Sequence, residues 1–325
     1  MPIVVNSNVS ATEASFNLSR ANDSLRKSLS RLSSGKRINS PADDAGGLAV
    51  AYKLDSKLNR TEAVIQNSQN ALSFLQVQDG ALRTVGKILD RMAELRTMAQ
   101  DVTKNSGDIE NYSKEFLELQ GQLNQVKEEK FNGISLFATS SDTLQNGGIT
   151  AANAGQYTNT NGVSVNYNKF AHTLFTAASG QAVDGSISLN VVNLQFVLSV
   201  GNLSGNNSAT NNVNLGGFAN TGGGINSSGF ISNILEVSIG QFTESIERLA
   251  DMRAENGAEQ NRVMNSIDLL QTNMTNLEAA HGRIMDADIA LESTRFARHN
   301  VLVQASAAMT AQANQLTNVA LALLG

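Results

Sequence analysis

Large apolar side chains recur at steps of three, four and seven over long stretches at both ends of the chain, and the middle has a different rhythm. From about Glu13 to Val126, Leu18, Leu25 and Leu32 fall every seven residues with Leu29 between them. Farther along, Leu75, Leu82, Val85, Leu89 and Met92 keep the same spacing. Such stripes predict amphipathic helices. After Gly229 the signal strengthens: Phe242, Leu249, Asn256, Val263, Leu270, Leu277, Ile284 and Leu291 are all seven apart, and only Asn256 is not apolar. Ile246, Ile267 and Met274 add a partial second row, so this region reads as a coiled-coil seam. A helix over about Ile234 to Ala280 would be roughly 70 Å long, more than a compact domain is wide.

The last segment repeats the theme with smaller residues. Leu302, Met309, Leu316 and Leu323 fall at sevens with Ala305, Ala313 and Ala320 between them, and the chain finishes on "VALALLG". The stripe of Leu18, Leu25 and Leu32 is the expected partner, which would bring the two ends of the chain side by side. Two short helices bury little surface and are marginal alone in water. Leaving Val319, Leu321, Leu323 and Leu324 wet forfeits several kcal/mol at roughly 1.5–3 kcal/mol per large apolar side chain. The ends are therefore expected to be covered by other copies.

Between the helical regions, Ala138 to Gly229 is rich in Gly, Asn, Ser and Thr and holds only three charged residues, Asp142, Lys169 and Asp184. Short alternating runs such as "VSVNY" and "ISLNVVNLQFVLSV" predict a small β-rich insert, with a bulge or turn where the apolar phase shifts between Val191 and Val192. Asn132-Gly133 is a strong hairpin signal. The fold class is thus mainly α: a long antiparallel coiled-coil or helical-bundle rod formed by the N- and C-terminal segments, with a β-hairpin and a small β-rich outer domain. The divisions are 1–40 with 286–325, 41–140 with 230–285, and 141–229. Because the middle carries few charges and its flanks close on each other, excising about Ser141 to Ser228 is expected to leave assembly intact.

Composition removes several function classes. The net charge is -5, which argues against nucleic acid or an anionic membrane surface as the main partner. No run reaches membrane-spanning length, so no membrane insertion is expected. Cysteine is absent, and so is thiolate chemistry. The opening "MPIVVNSNVS" has neither a basic region nor a long apolar one, which predicts export, if any, without a cleaved signal peptide. The three histidines, His172, His281 and His299, form no H-E-x-x-H pair, and no G-x-S-x-G elbow occurs, so no enzyme, catalytic residue, metal or cofactor is expected. In "SSGKRINSPADDAGG" Gly35 is placed to stop a helix, and Ser40, Pro41 and Asp43 read as N-cap, N1 and N3 of the next. Capping accounts for Asp43 and Asp44 better than metal binding, and Ser34-Gly35-Lys36 lacks the spacing of a phosphate loop.

These residues also carry a family resemblance. "SLSRLSSGKRINSPADDAGGLAVA" resembles the N-terminal signature of bacterial flagellins, and "AAHGRIMDADIALES" with "QASAAMTAQANQLTNVALALL" resembles their C-terminal signature. "FNGISLF" is similar to the point where flagellins leave the second helix for a β-hairpin. The resemblance implies a structural subunit that self-assembles into the helical filament of an extracellular bacterial flagellum for motility. Leu18, Leu25, Leu32, Leu302, Met309, Leu316, Leu321, Leu323 and Leu324 would then line its inner core. It also implies an export chaperone on the C-terminal helix, and the filament cap and hook-junction proteins as partners. An animal Toll-like receptor is implied at the second helix, where Leu89-Asp90-Arg91-Met92-Ala93-Glu94-Leu95 is similar to a family motif at Arg91, Glu94 and Leu95, with Glu118 as a further contact. Asp90 and Ala93 depart from that motif, and the Arg that Ala93 replaces would have supplied a charge and bidentate hydrogen bonds. The alternative is a hook-filament junction protein, which shares the same terminal helices.

Overall fold

The computed structural model describes residues 8–138, 150–158, 164–201, 213–217 and 229–323. In chain order the elements are α1 (Val9–Ser34), α2 (Ala45–Ala99), α3 (Ser106–Lys127), β1 (Lys130–Phe131), β2 (Ile134–Ser135), β3 (Phe137–Ala138), β4 (Thr150–Thr158), β5 (Ser164–Phe175), β6 (Ser186–Asn193), α4 (Leu194–Val197), β7 (Ser199–Gly201), β8 (Val213–Asn214), a 3₁₀ turn at Ile234–Glu236, α5 (Ile239–Met285) and α6 (Ile289–Leu323). They form two compact units, Met1–Asn59 with Thr272–Gly325, and Arg60–Gln271.

The second unit holds most of the apolar core. Along α2, Ile65, Leu75, Leu82, Val85, Leu89, Met92 and Leu95 are buried at helical spacing, and on α5 the seam residues Phe242, Leu249, Val263 and Leu270 are buried as well. Phe116 of α3 meets Phe242 edge-on with centroids 6.2 Å apart. The one polar residue of the α5 seam is buried with a partner, since Asn256 Nδ2 donates to Gln78 Oε1 at 2.6 Å. Gln78 in turn donates to the carbonyls of Leu136 at 2.8 Å and Asn190 at 3.3 Å. A polar group inside a helical seam costs stability unless it is satisfied, and then it fixes register.

The helical pattern of the first half has a break that its periodicity does not signal. α2 stops at Ala99 and α3 starts at Ser106, opened by a reciprocal capping box between Asn105 and Asp108. The Asn132-Gly133 turn has φ of 50° and 82°, the left-handed pair that a two-residue hairpin needs, and it joins β1 to β2.

The middle of the chain builds a four-stranded sheet in the order β3-β6-β5-β4, with β3 parallel to β6 and the other pairs antiparallel. No bulge or turn interrupts β6 between Val191 and Val192. Both side chains are buried because this strand is covered on two faces, which erases the alternation expected of a half-exposed strand. The chain turns instead at Asn193, whose side chain caps α4 by accepting from the Phe196 N–H at 3.2 Å. The described strands of this segment pack onto the rest of their unit. β6 pairs with β3, and Leu194, Val197, Leu198 and Leu215 are fully buried. It is tied to α5 by Lys169–Glu255 and by Arg248, whose Nη1 donates to the Ser199 carbonyl at 2.5 Å. Arg248 also lies over the rings of Phe196 and Tyr157, at 5.2 and 5.8 Å.

Candidate assembly surface

In the first unit α1 and α6 lie side by side and antiparallel: Asn8 Nδ2 donates to the Ala313 carbonyl at 2.9 Å, and at the other end Ala287 N–H donates to the Gly35 carbonyl at 2.9 Å. On α1 a row withdrawn from water runs through Ala11, Ala14, Leu18, Ala21, Leu25, Ser28 and Leu32, spaced alternately by three and four. On α6 the matching row is Glu292, Phe296, His299, Val303, Ser306, Thr310 and Ala313. Both rows are coiled-coil seams.

The α6 row is not the one expected from the large residues. Leu302 is 45% exposed and Met309 64%, so both flank the seam and do not fill it. The physical reason is size: small side chains such as Ser306, Thr310 and Ala313 let the two helices approach closely, and the large residues are displaced to the edge of the contact. Leu316, Leu321 and Leu323 lie on the helical backbone of α6 with their side chains outside the described residues, and Leu324 lies outside them entirely.

The consequence is an apolar outer surface. Val301, Leu302 and Met309 on α6, and Val9, Phe16 and Leu29 on α1, are all exposed. Among the described apolar residues of this unit only Ile38, Ala51, Met285 and Ala313 are buried. Between the helices runs a groove of about 310 Å³ lined by Ser10, Glu13, Ala14, Asn17, Ala305, Ser306 and Met309. Sequence reading missed Val301, Phe16 and Val9; the spacing of small residues along α6 is the signal that would have turned its large ones outward.

The connection from α1 to α2 is rigidly tied. Gly35 ends α1 in the left-handed conformation at φ 68°, which costs a glycine little. Arg37 N–H then donates to the Met285 carbonyl at 2.6 Å and its guanidinium to the Ile284 carbonyl at 2.8 Å, beside a small cluster of Ile38, Ala51 and Met285. The N-cap of α2 is Asp44, not Ser40: Asp44 Oδ1 accepts from Gly47 N–H at 2.8 Å. Ser40, Pro41 and Asp43 form a separate turn closed by Asp43 N–H on the Ser40 carbonyl at 3.0 Å. Asp43 cannot cap because its carboxylate is taken by Lys27 at 2.5 Å and by Asn39 N–H at 3.3 Å. The hydrogen bond from Lys27 holds it below the usual carboxylate range. Asp44→Ala is therefore expected to lower stability by about 1 kcal/mol and Ser40→Ala by much less. Urea unfolding of the two variants checks this, and equal losses would return the cap to Ser40.

On the second unit Arg91 donates to Glu115 at 2.8 Å and pairs with Glu94 at 3.1 Å, all three on the surface. Glu118 is exposed too. Leu95 is fully buried in the core and offers no surface to a receptor, which corrects the expectation placed on it. No group of three or more metal-ligating side chains occurs among the described residues.

The family model described as the bacterial flagellin N-terminal helical region matches residues 5–142, and the one described as the bacterial flagellin C-terminal helical region matches 239–324. The chain belongs to the bacterial flagellin family. It is 30% identical over 327 residues to a flagellin of Bacillus subtilis, covering 98% of this chain and 99% of the relative. It is 27% identical over 323 residues to the flagellar filament 33 kDa core protein of Treponema phagedenis, at 99% and 100% coverage. The fold is similar to that of a chain from Vibrio parahaemolyticus described as a flagellar hook-associated protein, with TM-score 0.53, 14% identity, and 75% of this flagellin and 100% of that chain covered. No helix among this flagellin's described residues is long and apolar enough to cross a membrane.

Proposed function

We infer that this chain is a structural subunit of the extracellular bacterial flagellar filament, assembled with many copies of itself through its terminal helices. One observation carries the reading: a unit that buries few of its own apolar side chains leaves Val9, Phe16, Val301, Leu302 and Met309 exposed on its two helices. Large apolar side chains bared over so small a core are what association with other copies would cover. A surface that meets a different surface on the next copy propagates without closing, which yields a filament. Flagellins are structural proteins, and the work of this chain is mechanical. The likeness to a hook-associated chain supports a shared fold, whereas the relatives that match end to end are flagellins. Seeded growth of the purified protein, viewed by negative stain, tests the reading; subunits that never elongate on seeds would overturn it.

Finer assignments rest on the family. Leu18, Leu25 and Leu32 hold α1 to α6, while Leu302 and Met309, with Leu316, Leu321, Leu323 and Leu324 beyond them, face neighbouring copies. The division into an inner part at 1–40 and 286–325, a rod at 41–140 and 230–285, and an outer part at 141–229 is likewise a reading from the family. Export without a cleaved signal, a chaperone on the C-terminal helix, and cap and junction partners follow from kinship alone.

Recognition by a Toll-like receptor would use Arg91, Glu94 and Glu118. Arg91 is already held by two carboxylates on an exposed face, so its loss should reduce a receptor-reporter signal only modestly. An unchanged signal from Arg91→Ala would remove this surface.

A further inference from the structure

The side of α5 that meets the sheet carries two carboxylates one helical turn apart, Glu255 and Glu259. Lys169 of β5 is ion-paired with Glu255. Asn190 of β6 supplies two donors: its Nδ2 reaches Glu255 Oε2 at 3.1 Å, and its backbone N–H reaches Glu259 Oε2 at 2.8 Å. Arg262 acts on Glu259 from farther along α5. Tyr167 of β5 stands near Lys169 and Glu255, its phenol pushed up by burial. From α2 the facing segment Ala71–Gln78 holds no charged residue, and its Gln78 is occupied by Asn256 and two carbonyls. Two half-buried carboxylates one turn apart therefore share one directly paired cation, and their mutual repulsion favours keeping a proton on one of them.

We propose that Glu259 is a proton-operated latch between the sheet and α5, closed while its carboxyl is neutral and loosened when it ionises. The sheet would then be held more weakly on the alkaline side of neutrality, without any change in the helices that carry the assembly surface. Burial, with the Glu255 charge adding to it, pushes the Glu259 carboxyl up to about 7, against the Asn190 N–H bond that lowers it. Because the folded-state value is raised, the contribution to holding the sheet is complete below the ordinary glutamate range. It is lost as the pH rises through about 7.

The experiment is amide hydrogen exchange at Asn190 to Val192 in the full-length monomer, corrected for intrinsic exchange, from about pH 5.5 to about pH 8.5. If opening restores an ordinary carboxyl, the opening constant rises about thirtyfold over that range by linkage. Glu259→Gln, which is neutral at every pH and nearly isosteric, should flatten the profile at the protected level. A wild-type profile without that rise, or a Glu259→Gln profile that keeps it, overturns the latch. Glu255→Gln gives an independent reading, since removing the neighbouring charge should move the midpoint to lower pH; an unmoved midpoint counts against the proposal equally. Filament growth is not the readout, so the latch can fail while the assembly reading stands.

Discussion

Replacing Leu302 and Met309 together by Asp is expected to abolish seeded filament growth while leaving the melting of the monomer close to wild type. In the monomer both side chains are partly exposed, at 45% and 64%, so the substitution gives up little packing beside a helix-propensity cost of at most about 0.7 kcal/mol each. In a filament the same positions would be covered. An unpaired carboxylate at a covered site costs about 2 kcal/mol or more, so two of them raise the critical concentration about a thousandfold. The second unit contains Phe242, Leu249, Val263 and Leu270 and should melt unchanged. Had Leu302 and Met309 packed against Leu18, Leu25 and Leu32, the order of effects would be reversed, with destabilisation first and the assembly defect following from it. Calorimetry of the variant beside sedimentation of seeded polymer separates the two. Normal filaments, or a monomer that melts far earlier, would refute the outward-facing assignment.

The same pair of residues marks where sequence reading ran out. Spacing by seven located the helices because every turn that buries a large apolar residue repeats it about two turns on, as Phe242 to Leu270 do. Spacing does not say which of two rows faces the partner. On α6 the row of Ser306, Thr310 and Ala313 is weakly apolar, yet it forms the seam because small residues allow close approach. Leu302 and Met309 are strongly apolar and sit, partly exposed, on the flank of that seam. That inversion is understandable only once other copies are included, since a helix with apolar residues around most of its circumference is at odds with water as an isolated element.

Two local misreadings have similar causes. Ser40-Pro41-Ala42-Asp43 has the composition of a helix start, but the Lys27 ammonium, from another helix, holds the carboxylate expected at N3, and the N-cap is Asp44. The shift of phase at Val191 and Val192 resembles a bulge in a one-sided strand, and it is ordinary for a strand covered on both faces. In both cases a partner distant in sequence decided the outcome. By contrast the Asn132-Gly133 hairpin and the Gly35 stop needed only their own backbone preferences, and both were legible.

Excising Ser141 to Ser228 is expected to cripple the second unit, against the tolerance that a low-charge insert suggests. The excision removes β4, β5, β6, α4, β7 and β8, and with them the strand that pairs with β3. Phe137 and Ala138, buried at 1% and 0% exposure, would be opened to water, and Phe74 would lose the edge-on contact with His172 at 6.2 Å. Arg248, Glu255 and Glu259 would lose the Ser199 carbonyl, Lys169 and Asn190. Uncovering two Phe side chains costs roughly 1.5–3 kcal/mol each, before any penalty for the orphaned polar groups. A loss near 5 kcal/mol takes most of the margin of an ordinary domain and lowers its melting temperature by roughly 10 °C or more. Calorimetry of the excised chain decides the matter, with Glu255→Gln/Arg248→Met in the full-length chain as the milder comparison. Cooperative melting within a few degrees of wild type would mean that the rod closes over the gap by itself and that the sheet is an ornament on it.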